Sequence, residues 1–419
     1  MGLIGTITDT ASRGGVLMSD LAAICDTGGR FAGSDSEQSA QAYLRLRLKE
    51  VTGLAPTRHA IDFLGWSRGD AGLERLDNTR RTMPCVSLVR SPATPPGGII
   101  GELVNVGRGT EQNFARCALE IPGRIVLVQH EYMFATDTIH RRRKYQWALD
   151  RGGIGFLIAC HLSDVGPVTG SSGATPERGI PAAGISAETA AALVANGPAT
   201  IRLRIEAAET RRRVENLIID LPGRSSEWVV LSAHIDGHHL AESAIDNATG
   251  LAATLSIAEA MAPQMARMKR GLRIALFTVE EWALAGSANY VDGLSDAERS
   301  AIKLNVNLDS IAGSAHITAL TSGSEKLEQW LLDRAEAHGH AIGVHRPLMA
   351  NSDHYNFARH GVPATRLVAG FDEPDSELRY VLTPSDTRDR VRPEDLRNAT
   401  ALAAALVAEA CRADILELR

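Results

Sequence analysis

The chain predicts an α/β fold: a mostly parallel sheet with helices on both faces, plus a smaller inserted domain. Three observations carry that reading. From about Arg213 onward, strand-like and helix-like runs alternate. Between about Gly101 and Ala207 the texture changes to short β-like runs and a loop rich in Gly, Ser and Pro. And 419 residues exceed one average domain.

Taken in order, the first helix is signalled by Ser34 with Glu37 three residues later, a capping box ahead of SAQAYLRLRLKEV with apolar residues at helical spacing. The segment SPATPPGG, from Ser91 to Gly98, reads as a linker or a domain crossing. Strands are then expected at GRIVLVQ (123–129), GIGFLIA (153–159) and TIRLRIEA (200–207), with a helix at KYQWALDRGG. After Arg213 the strand candidates are NLIIDL, WVVLSA, LRIALFTV, IKLNVNL and ATRLVA. The helix candidates are GLAATLSIAEAMA, WALAGSANYVDG, KLEQWLLDRAEAHG and PEDLRNATALAAALVAEA. The expected domains are 1–90 with 213–419 for the main fold, and 100–208 for the insert.

Composition narrows the function classes. The net charge is −6 and no long basic stripe occurs, which argues against nucleic acid as a partner. The one dense basic run, His140-Arg141-Arg142-Arg143-Lys144, reads as a solvated helix face. Five scattered cysteines without a C-x-x-C pair point to a reducing compartment. The N-terminus lacks the n- and h-regions of a secretion signal, so a cytoplasmic location is expected. No apolar run reaches transmembrane length, and a homo-oligomer is left open.

The chemistry gathers at strand ends. WVVLSA runs into His234-Ile-Asp236, LRIALFTV into Glu280-Glu281, and IKLNVNL into Asp309. Parallel strands share one C-terminal edge, where open α/β folds place their sites. Asp246, in the loop SAIDNATG before a helix, can face the same crevice. The loop glycines Gly237, Gly250 and Gly286 are expected to allow close turns there. Singly, each residue has an ordinary structural reading; together, one His and several carboxylates suit Zn²⁺, Mn²⁺ or a similar divalent ion.

The stretches SAHIDGHHLAESAIDNATG, FTVEEWALAGS, NVNLDSIAG and NSDHYNFARHGVPA, in that order, resemble the co-catalytic zinc aminopeptidase family, metallopeptidase family twenty-eight. GGRFAGSDSEQSAQAYL resembles its opening helix. GRIVLV, KYQWALDRGGIGFLIA and IPAAGIS resemble the protease-associated domain that many members carry as an insert. The resemblance implies that His234 and Asp309 bind one metal, Asp246 bridges to a second, and Glu281 binds that second metal. Glu280 would be the general base, and Asp236 would orient His234.

One departure stands out. The family's last ligand is a histidine near the C-terminus, and Leu382 occupies its place, with Thr383, Asp386 and Thr387 still fitting the pattern. The resemblance therefore implies one divalent metal, Zn or Mn, per chain rather than two, unless His238, His239 or His354 substitutes. The expected function is hydrolysis of a C–N bond. The first expectation is a small-molecule aminohydrolase that converts an aromatic amine such as 5-nitroanthranilate to the phenol and ammonia. Alternatives are an aminopeptidase taking short peptides, and a family scaffold without catalysis. For a carboxylate-bearing substrate Arg379, with Tyr380 and His354, is the expected binding set.

Overall fold

The computed structural model describes residues 2–76, 81–195, 197–282 and 284–419. It divides into two compact units. The larger comprises Met1–Asp62, Arg213–Val381 and Asp386–Arg419; the smaller comprises Phe63–Arg212 and Leu382–Ser385.

The larger unit is built on a sheet whose centre is parallel. Ala364–Ala369, Ile302–Leu308, Trp228–His234 and Gly271–Phe277 lie side by side in that order. Antiparallel neighbours flank them: Ile317–Leu320 beside Ala364–Ala369, and the end of the long strand Thr200–Leu221 beside Gly271–Phe277. Ile342–His345 closes the edge, parallel to Ile317–Leu320. The central strands are buried almost residue by residue because helices cover both faces.

On one face the helices Thr249–Met261 and Pro393–Arg412 lie on the central strands. Their many alanines allow that close approach, and Leu3–Ala11, Gly14–Cys25 and Asp35–Thr52 pack behind Thr249–Met261. On the other face Phe277, Tyr290, Val291 and Phe357 form one cluster with Val230 and Ala275. Truncating a buried phenylalanine such as Phe357 to alanine would cost about 3–5 kcal/mol. The Asp35–Thr52 helix starts where expected, with the Ser34 hydroxyl accepting the Glu37 N–H. The other half of the capping box differs: the Glu37 carboxylate accepts from Gly33 N–H and takes bonds from Gln41 and Thr278 instead.

In the smaller unit Ile99–Asn105, Ile125–Gln129, Gly155–Ala159 and Ala182–Ile185 are parallel neighbours. Ile125, Leu127, Leu157, Ile185, Ile201 and Leu203 fill its core.

Several expectations need correction. The Ser91–Gly98 segment lies inside the smaller unit and is no domain crossing; the units divide at 62/63 and 212/213 instead. Those divisions fall within two strands, Thr57–Arg75 and Thr200–Leu221, each about twenty residues long. The second is one continuous strand where the sequence suggests two, because its middle, EAAETRRR, is polar and mostly exposed. Thr57–Arg75 was not legible: Gly65 and Gly69 interrupt it, yet an added Cβ there would meet Arg212 at 2.6 Å and Glu206 at 2.8 Å. Finally, the basic run is not a solvated face. Arg141 and Lys144 are buried; Arg141 donates to the Ser171 carbonyl, and Lys144 donates to the Gln129 carbonyl and pairs with Glu131 at 2.8 Å. No helix among the described residues is long and apolar enough to cross a membrane, and all five cysteines are free.

Candidate metal centre

Register brings the strand ends together. Phe277 pairs with His234 at the end of two adjacent parallel strands, so Glu280 follows just beyond, and Asp309 follows the end of Ile302–Leu308 on the other side. Asp246 arrives from a short irregular turn, Ala244–Ala248, ahead of the Thr249–Met261 helix. His234 Nε2 lies 3.1 Å from Asp246 Oδ1 and 3.4 Å from Asp309 Oδ1. One ligand atom from each of the three residues lies within 4.8 Å of the others.

His234 Nδ1 faces the Asp236 backbone carbonyl at 2.9 Å. A carbonyl only accepts, so Nδ1 carries the hydrogen and Nε2 keeps its lone pair for a metal. Asp236 thus meets the imidazole through its main chain, with its carboxylate farther from Nδ1 at 4.0 Å. The carboxylate instead accepts the backbone N–H groups of Glu280 at 3.0 Å and Glu281 at 3.2 Å.

Other residues, to which the sequence assigned no role, complete the frame. Asn247 donates to the Leu308 carbonyl at 2.8 Å and accepts from Gly250 and Ser310 N–H, tying the Asp246 turn to the Asp309 strand. The Asp386 carboxylate accepts the Ile245 N–H at 2.7 Å. Arg30 is completely buried and donates to the carbonyls of Gly28, Ile235, Glu242 and Ser243, clamping the segment from His234 to Asp246. Ser352 and Arg366 hold the outer oxygen of Asp309. The glycines serve close approach rather than turning: a Cβ on Gly250 would lie 2.3 Å from the Leu308 carbonyl, and one on Gly286 1.9 Å from that of Thr278.

The electrostatics are those of a crowded carboxylate–imidazole cluster. Burial pushes the Glu280 carboxyl well above its usual range; Asp309, Asp353 and Glu281 add to the rise and His234 opposes it. Burial pulls His234 down, but Glu280, Asp309 and Asp246 outweigh it and raise it well above its usual value. Asp309 is also opposed by burial, yet Arg366 and His234 hold it below the normal carboxylate range. Such a set, one imidazole and two carboxylates converging in a buried place, fits a divalent ion, whose charge would lower all of these values.

The other expected site residues are not among the three converging donors. Glu281 is not in the converging group, and among the described residues none of His238, His239 or His354 joins it. His238 Nε2 lies 3.9 Å from Asp386 Oδ2, and His239 packs on Phe31 with ring centroids 4.0 Å apart. His354 is fully buried rather than placed at an open cleft; burial, helped by Arg366, holds it neutral at about 3. Arg379 stacks 5.0 Å over the Tyr380 ring and lies 3.9 Å from Asp375. Leu382 is buried with φ +66° and belongs to the smaller unit, where its carbonyl accepts from Thr169 N–H.

Comparison with known proteins agrees with this frame. Residues 216–407 match Peptidase family M28 and residues 99–193 match the PA domain. The chain is 25% identical to "Aminopeptidase YwaD" of Bacillus subtilis over 331 residues, covering 77% of this chain and 69% of that protein. It is 27% identical to "Leucine aminopeptidase 2" of Trichophyton equinum over 323 residues, 73% of this chain and 61% of the relative. Among solved structures, a peptidase M28 precursor from Shewanella amazonensis superposes with TM-score 0.81 at 22% identity, covering 100% of this chain and 96% of that one. A zinc aminopeptidase from Bacillus subtilis gives 0.76 at 22%, covering 98% and 97%. Residues 216–407 of this metal-dependent hydrolase are thus similar to peptidase family M28, and residues 99–193 to the PA domain.

Proposed function

We propose that the protein is a metalloaminopeptidase that removes N-terminal residues from peptides, with one divalent metal held by His234, Asp246 and Asp309. The observation that carries this reading is the convergence of those three donors beside Glu280, a carboxyl buried at the end of the neighbouring strand. The relatives at 25–27% identity are named aminopeptidases, which favours peptide chemistry over the aromatic amine expected from sequence.

A divalent ion held by His234, Asp246 and Asp309 would supply Lewis acidity toward the scissile carbonyl and the attacking water. Glu280 would take a proton from the attacking water and return it to the departing amine. Its environment suits both steps, because burial keeps its proton affinity high while His234 opposes the rise. Asp236 fixes where Glu280 stands by holding the two N–H groups of the Glu280-Glu281 turn. Arg30 and Asn247 keep the Asp246 turn against the strand ends while substrate enters and leaves.

The test is turnover of aminoacyl anilides by the full chain, with and without added Zn²⁺ or Mn²⁺, beside the same anilides with blocked N-termini and nitro-substituted 2-aminobenzoates. Metal-dependent release from free N-termini is expected. Ammonia from the aromatic amines without anilide turnover would overturn the reading in favour of the aminohydrolase.

A further inference from the structure

The strand Ala364–Ala369 is buried along its whole length, yet it carries a cation: Arg366 is 4% exposed. Its Nη2 lies 3.2 Å from Asp309 Oδ2, its Nε donates to the Asp309 carbonyl at 3.4 Å, and its Nη1 donates to the Asn351 carbonyl at 3.0 Å. The Asp309 carboxylate is thereby divided. Oδ2 takes Arg366 and the Ser352 hydroxyl, whereas Oδ1 faces His234 Nε2 at 3.4 Å and takes the Ser310 hydroxyl at 3.1 Å. One oxygen faces the three-donor group, and the other is held by a fixed positive charge.

A buried carboxylate with no counter-ion is strongly destabilising. Resting on the reading that His234, Asp246 and Asp309 hold a divalent metal, we infer that Arg366 is a built-in counter-ion to Asp309. It neutralises that ligand before the metal arrives, so the unit folds without metal, and it limits Asp309 to Oδ1 as donor. The same charge opposes the incoming cation across a single carboxylate. Arg366 therefore trades metal affinity for metal-free stability. Ser352 and Ser310 each hold one Asp309 oxygen independently of Arg366, so the carboxylate keeps its aim when the guanidinium is removed.

The experiment measures Zn²⁺ affinity of the full chain by competition with a chromophoric chelator, and Tm with and without Zn²⁺. Arg366→Met removes the charge, Arg366→Gln removes the charge but keeps a donor, and Arg366→Lys keeps the charge. Both neutral variants should bind Zn²⁺ about tenfold or more tightly, with a lower metal-free Tm and a larger rise in Tm on adding metal. The lysine variant should stay within about threefold of the parent affinity. If a neutral variant is unfolded without metal, recovery of its fold on adding Zn²⁺ supports the inference, and failure to recover rejects it. Unchanged or weaker binding in Arg366→Met, or parent-like behaviour of Arg366→Gln, also overturns it and leaves Arg366 a packing and hydrogen-bonding residue. Absence of any Zn²⁺ binding by the parent chain would instead reject the metal centre itself, which keeps the two failures distinguishable.

Discussion

The Asp236 carboxylate accepts the backbone N–H of Glu280 at 3.0 Å, and with its second oxygen that of Glu281 at 3.2 Å. One fully buried side chain just past the end of the His234 strand thus sets the backbone that carries the proposed base just past the end of the adjacent strand. The His234 ring is held separately, by the Asp236 main chain.

That separation makes a specific prediction for Asp236→Asn. The amide has one acceptor and one donor facing two N–H groups, so the Glu280 turn loses a bond and shifts. The rate should fall about 10–100-fold, while metal content stays at the parent level because the carbonyl that orients His234 is untouched. Loss of metal together with activity would show that the carboxylate supports the ligand after all.

Glu280→Gln keeps size and hydrogen bonding but cannot accept a proton. Turnover should drop by about 10²–10⁴ with metal and fold retained. Near-parent turnover would reduce Glu280 to a charge at the end of a strand.

Metal removal should abolish turnover, and elemental analysis should return one tightly held divalent ion per chain, since three donors converge at one place among the described residues. His234→Ala and Asp309→Ala should each lose that ion. Two ions per chain at full occupancy would overturn the single-metal proposal.

Arg30 donates to four main-chain carbonyls with no solvent access. A lysine at that position reaches fewer of them and leaves buried carbonyls unsatisfied, at about 1–3 kcal/mol each. Arg30→Lys should lower Tm by several degrees and weaken metal binding through the Asp246 turn. A Tm equal to the parent would deny the clamp.

Glu37 should give the fold a measurable pH dependence. Burial, reinforced by Asp236, pushes its carboxyl up to about 7, against bonds from Thr278 and Gly33. Its folded pKa is above its unfolded one, so its contribution is fully present below about 4.5 and is lost as pH rises through 7. The loss is of order 3 kcal/mol. Denaturant unfolding of Glu37→Gln should be flatter than the parent over that window, and parallel curves would refute the assignment.

What the sequence determined by itself was the main architecture and the likeness to peptidase family M28, because both rest on local patterns. Apolar runs ending in His234, Glu280 and Asp309 mark strand ends, and strand ends of a parallel sheet share an edge. It also marked the place of the inserted domain, matched as a PA domain over 99–193. Only the tertiary structure decided which partner each polar group takes. Asp236 turned out to hold the Glu280 turn, Arg366 to pair with Asp309 across 57 residues of sequence, and Lys144 to be buried against Glu131. Such pairings join residues distant in the chain, and periodicity reports only which face a side chain occupies, not what lies across from it. The charge of a buried arginine or lysine reads as solvated until the fold supplies the carbonyls and carboxylates that satisfy it.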